Sequence, residues 1–145
     1  MAEEKAEGET IDVRGVVPLL QVYDMAMAVR FYCDALGFEV VTTSPVLGQD
    51  KFHWAMLRLG AVEVMLNTAY ETDEERPNPP DAARVAAHGD TTLYFGCPDV
   101  DGAYEKLRDK IPGIKPPSVA WYGMKQLSFS DPDGFGICLQ WPAKI

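Results

Sequence analysis

The chain is written twice. The segment Val22-Tyr-Asp24-Met-Ala-Met-Ala-Val29-Arg-Phe-Tyr32 is answered 75 positions later, counting Asp24 to Asp99, by Cys97-Pro-Asp99-Val-Asp-Gly-Ala-Tyr104-Glu-Lys-Leu107. Such a repeat restricts the fold to two copies of one unit that bury their apolar faces together. Each copy follows an apolar, β-like run (16–22 and 91–97), and each opens a helix with an Asp. The carboxylate suits that place: it accepts the free amide hydrogens of the first turn and complements the positive helix end. Beyond it, Met25, Val29, Tyr32 and Leu36 recur at helical spacing, as do Val100, Tyr104 and Leu107. Gly37 supplies a left-handed stop to the first helix, and Pro112-Gly113 ends the second.

After each helix the pattern turns to strands. The first copy predicts strands over 38–44, 52–59 and 62–68, with a loop at 45–50 and a Gly60-Ala61 turn. The second predicts them over 115–121, 124–130 and 136–141, with Asp131-Pro-Asp-Gly134 as the last turn. The expected architecture is α+β: two tandem βαβββ units, about 14–69 and 90–142, forming a curved, barrel-like mixed sheet with helices on its outer face. Residues 70–89, with Pro77, Pro79, Pro80 and several acids, read as an exposed linker.

At 145 residues this is one domain, 13–145, behind an acidic tail over 1–12 that has no apolar signal core. A mixture of 47% hydrophobic and 24% charged residues is that of a packed globular protein. No stretch is apolar enough to span a membrane. The three cysteines form no CxxC pair, which suits a reducing cytoplasm and argues against a disulfide framework or a zinc knuckle. A net charge of −9 disfavours nucleic acid and would draw in a cationic small molecule.

The stretch 22–38 resembles the opening motif of the vicinal oxygen chelate superfamily, which holds glyoxalase I, extradiol dioxygenases and the fosfomycin- and bleomycin-resistance proteins. Trp121-Tyr-Gly-Met-Lys-Gln-Leu-Ser-Phe-Ser-Asp-Pro-Asp-Gly134 is similar to the last hairpin of the bleomycin-resistance branch. The resemblance covers about 14–142. It implies a divalent ion held by the first and last strand of each unit, and counting from the motifs puts its four ligand positions at Val17, Val64, Thr92 and Cys138. A slip of one residue would make the second of these Met65 or Glu63. Where the family's enzymes carry His or Glu, these side chains offer no ligand for Mg²⁺, Fe²⁺ or Ni²⁺.

His53, placed beside Trp54 on the far face of its strand, and His88, at the end of the linker, do not complete a metal set. Cys138 has no base near it in sequence and reads as an inert buried thiol. No cofactor is therefore expected.

Strand alternation then fixes the side chains facing the cavity. From Val17, Thr92, Cys138 and Val64 the inward set takes in Leu19, Gln21, Tyr94, Gln140 and Leu66. Ligand-contacting positions of fosfomycin-binding relatives map onto Ser128 and Gln126, and Met124 follows by alternation. The repeat carries Ser128 onto Trp54 and Gln126 onto Phe52, and brings in Met56. Trp121 and Tyr122 sit where they could close the rim. Leu93, Phe95, Leu127, Phe129, Ala55 and Leu57 face the helices.

Aromatic walls with a few neutral amides suit a small-molecule pocket. The expected ligand-binding set is therefore Gln21, Trp54, Met56, Tyr94, Trp121, Tyr122, Met124, Gln126, Ser128 and Gln140. The reading that follows is a metal-free protein, acting by sequestration, that holds a small molecule such as a cationic aromatic antibiotic. It works as a cytoplasmic homodimer, without nucleic acid or membrane. Two alternatives stand beside it. One is a metal-dependent lyase or dioxygenase drawing on Glu63, Gln21, His53 and Cys138; the other is a structural or regulatory module.

Overall fold

A computed structural model describes residues 8, 10–47 and 51–144. The first unit runs β1 (Leu19–Val22), α1 (Met25–Val29), β2 (Glu39–Thr43), β3 (Trp54–Leu59) and β4 (Val62–Thr68). The second runs β5 (Thr92–Gly96), α3 (Val100–Leu107), β6 (Ser118–Val119), β7 (Met124–Ser130) and β8 (Gly136–Pro142). Between them lies α2 (Ala82–His88). Each unit closes its own four-stranded sheet, ordered β1-β4-β3-β2 and β5-β8-β7-β6. In both, the first strand pairs parallel to the last and the others are antiparallel. The expected α+β repeat is therefore present, as two separate curved sheets rather than one barrel.

The helix starts follow the local chemistry. The Asp24 carboxylate accepts from the Met27 amide at 3.2 Å and Asp99 from the Gly102 amide at 2.9 Å, so both repeat aspartates are N-caps. The first helix widens into a π-helical stretch, Arg30–Ala35, before Gly37 turns the chain at φ +92°. Two strands come out shorter than expected: 16–22 begins only at Leu19, and the Pro-limited run 115–121 keeps only Ser118–Val119. The connector is not wholly irregular, because Asp81 caps α2 through the Ala83 and Arg84 amides. The acidic tail falls largely outside the described residues, as does part of the 45–50 loop. Among the described residues no helix is long and apolar enough to cross a membrane.

The helix-bearing sides of both sheets share one interior. Phe135 and Ile137 of the second unit belong to the same buried cluster as Leu20, Val22, Ala28, Tyr32, Leu57 and Leu66 of the first. Phe38 meets Phe95 edge-on at 6.3 Å, and Phe31 reaches Phe129 at the same distance. The Asp131–Gly134 turn pins the units together. The Tyr32 hydroxyl donates to Asp131 at 2.6 Å, and the Tyr23 amide donates to the buried Asp133 at 2.7 Å. From α2, Arg84 pairs with Asp133 at 3.1 Å and also donates to the Gln21 carbonyl. His88 places Nδ1 2.6 Å from the Asp133 carbonyl and stacks on Phe135.

Candidate functional site

Alternation leaves each sheet one open face, opposite the helices. On the first sheet Leu20, Val22, Ala55, Leu57, Val64 and Leu66 are buried toward the helices. Their neighbours Leu19, Gln21, Trp54, Met56, Glu63, Met65 and Asn67 therefore take the open side. Strand register arranges them in cross-strand rows, Leu19–Met65–Met56 and Gln21–Asn67–Trp54. The second sheet has the corresponding rows Tyr94–Cys138–Ser128 and Gly96–Gln140–Gln126, with Met124 at the edge opposite Pro142.

These rows correct two expectations. Val64 and Leu66 do not face the cavity: Val64 is 1% exposed and in the core, and its place in the ligand set belongs to Met65, the partner of Leu19 as Cys138 is of Tyr94. The repeat also carries Gln126 onto Trp54 and Ser128 onto Met56, while Phe52 lies ahead of β3. Val17 precedes β1 and belongs to no strand.

The amides are tied to each other. Gln126 Nε2 donates to Gln140 Oε1 at 3.0 Å and to the Tyr122 hydroxyl at 2.7 Å. Asn67 Nδ2 donates to Gln21 Oε1 at 3.4 Å. Each pair keeps spare donors and acceptors for a guest. Tyr94 is 60% exposed, and Trp121, in the turn ahead of β7, is 94% exposed and stands edge-on to Tyr122 at 5.2 Å. The structure thus brings Gln21 and Trp54 into one row beside Met56, and Gln126 and Gln140 into another beside Tyr122, Ser128 and Tyr94. Asn67, which the sequence reading does not name, joins the open face, as does Met65, its one-residue alternative to Val64.

A divalent ion does not fit here. The four positions present hydrocarbon at Val17, thioether at Met65, hydroxyl at Thr92 and a buried thiol at Cys138, none a competent donor set for a hard cation. On the first open face Glu63 is held by Arg58 at 2.9 Å, and Glu39 of β2 lies opposite the same Arg58. His53 precedes β3, and His88 is engaged with Asp133 and Phe135. Among the described residues no three His, Cys, Asp or Glu side chains are grouped to hold a metal. Beyond Arg58 and its facing carboxylates Glu39 and Glu63, the faces offer flat apolar area with neutral hydrogen-bonding groups.

A family model described as the Glyoxalase/Bleomycin resistance protein/Dioxygenase superfamily matches residues 15–139. No curated protein matches the sequence. Among solved structures, a glyoxalase/bleomycin resistance protein/dioxygenase from Nocardioides superposes with a TM-score of 0.66 at 20% identity, over 94% of this chain and 88% of that one. TnmS3, an antibiotic-binding protein from Streptomyces sp. CB03234, gives 0.63 at 23% identity, over 92% and 100%. A bleomycin-binding protein complexed with bleomycin gives 0.61 at 18% identity, over 88% and 98%.

Proposed function

Because the chain belongs to the Glyoxalase/Bleomycin resistance protein/Dioxygenase superfamily, we propose that its open faces hold a small, flat, positively charged molecule and sequester it unchanged. The observation that carries this reading is the pairing of exposed aromatics and amide rows with ligand positions that cannot grip a cation. Trp54, Tyr94, Trp121 and Tyr122 would stack on aromatic rings. Gln21, Gln126, Gln140 and Ser128 would orient the guest, with Met56 and Met124 as adaptable apolar contacts. The −9 charge would steer a cation toward the protein. The names of the antibiotic-binding and bleomycin-binding neighbours point the same way.

The open faces belong to sheets whose other sides are joined in one core, so they turn to solvent. Leu19 and Tyr94 are 46% and 60% exposed there. We infer that a second copy covers them, setting the first unit of one protomer against the second unit of its partner and enclosing the guest between. Light scattering is expected to give twice the 16.0 kDa chain mass; a monomer at micromolar concentration contradicts the inference.

Tryptophan fluorescence titrated with bleomycin-type glycopeptides and other aromatic cations should show saturable quenching. Trp54→Ala should weaken binding at least about tenfold, the effect of losing a well-packed aromatic anchor. Absence of saturable quenching with every compound ends the proposal.

A further inference from the structure

We propose that the seam between the two units, on their helix-bearing side, is a separate site for an amphipathic anion with a medium-length alkyl body. A cleft of about 420 Å³ opens there, containing none of the tryptophans or amides of the open faces. Its walls come from both units: Leu36 and Phe38 after the π-helical stretch, Leu59 beside the β3–β4 turn, Phe95 of β5 and Leu107 of α3. Phe38 and Leu107 are 4% and 5% exposed, whereas Leu59 is 41% exposed, so the cleft runs from a dry interior to an open rim.

Apart from Asp34, Lys106, Lys110 and the Cys97 thiol, every side chain lining it is hydrocarbon. Such walls cannot satisfy peptide amides or sugar hydroxyls, so the body of the occupant must be apolar.

The polar end is specified by charge. Lys106 and Lys110 both line the cleft, and among the described residues neither pairs with a carboxylate within 4.0 Å. Lys110 Nζ donates only to the Asp34 carbonyl, at 3.3 Å. With Asp34 as the single acid, the lining carries one net positive charge on a chain of net −9. A hydrocarbon interior with two ammonium groups on its lining matches a fatty-acid-like carboxylate and repels the cation proposed for the open faces.

Calorimetry of the full chain with decanoate and with decylamine distinguishes these chemistries. Saturable binding of decanoate, weak or absent binding of decylamine, and at least about a tenfold loss of decanoate affinity in Lys106→Glu/Lys110→Glu support the site. Ala103→Phe, which fills the cleft, should abolish binding. If that variant fails to fold, the lysine pair decides alone. Equal binding of both compounds, or wild-type decanoate affinity in the lysine variant, overturns the proposal. So does loss of decanoate binding in Trp54→Ala, which would place the compound on an open face. No decanoate binding together with a change of oligomeric mass in Ala103→Phe would show that a second copy occupies the cleft, and it overturns the proposal as well.

Discussion

Asp131→Ala is expected to destabilise the protein by about 4 kcal/mol, read as a shift of the urea midpoint at unchanged slope. The carboxylate is 5% exposed and accepts three hydrogen bonds: the Tyr32 hydroxyl at 2.6 Å and the Asp133 and Phe135 amides at 2.9 Å each. Truncation leaves those donors buried without partners, each costing about 1–3 kcal/mol, and opens a small void between the units. Asp131→Asn keeps an acceptor for both amides and offers a donor to the Tyr32 oxygen, so it should lose only about 1 kcal/mol. If the two variants behave alike, the hydrogen bonds are not what holds the turn.

The same group sets a pH signature. Burial, the largest influence, together with the nearby Asp133 charge, holds the Asp131 carboxyl above the ordinary carboxylate value of 3.8, although its hydrogen-bond donors pull it down. The folded protein thus takes up this proton at a higher pH than the unfolded chain. Its charge costs stability at neutral pH, and that cost fades as pH falls from the raised value toward the ordinary one. Against Asp131→Asn, the wild type should gain stability on acidification through that window and level off below it. A difference between the two that does not change with pH contradicts this assignment.

Gly134→Ala should cost about 3 kcal/mol or more. Gly134 sits at φ +91°, and a Cβ there would collide with the Val85 carbonyl oxygen of α2. The left-handed conformation alone costs an L-residue about 1–2 kcal/mol, and a backbone oxygen cannot rotate aside as a side-chain tip would. The helix must lift, which would disturb the Arg84–Asp133 pair at 3.1 Å. A second mutation confined to α2, Arg84→Ala, should then add less to Gly134→Ala than it costs alone. A loss under about 1 kcal/mol for Gly134→Ala would mean that α2 does not rest on this turn.

The repeat made most of the fold legible, because both helix caps and the strand alternation are local chemistry stated twice. Two things escaped it. Matching the turn glycines Gly60 and Gly134 puts the β4 ligand position at Val64, yet Met65 stands five residues after Gly60 and Cys138 four after Gly134. The turns differ in length, from Leu59–Val62 to Ser130–Gly136, and a glycine marks a backbone conformation rather than a distance from the strand. The other was α2: its prolines and acids read as a connector, although Asp81 ahead of Ala-Ala-Arg-Val-Ala-Ala is a start signal followed by strong helix formers. Leu19, Gln21, Trp54 and Met56 share one face because a face survives any shift by two, whereas Val64 and Leu66 are off by one. No local pattern announced the buried Asp131 and Asp133, whose partners Tyr32, Tyr23 and Arg84 are 49 to 110 residues away in sequence.

Aligning the two copies by pairing partner shows where they have parted company. Leu20 answers Phe95, Leu57 answers Phe129, Val64 answers Ile137 and Leu66 answers Leu139, grease for grease at every step. Across the open sides Asn67 and Gln140 are both amides, but Leu19 and Tyr94, Met65 and Cys138, Trp54 and Gln126, and Met56 and Ser128 share almost nothing in size or polarity. The shared interior asks both copies for matching apolar side chains, and the open sides carry no such packing demand. Two unlike walls thus stand on one repeated scaffold, and under the proposed reading each would grip a different end of a lopsided molecule.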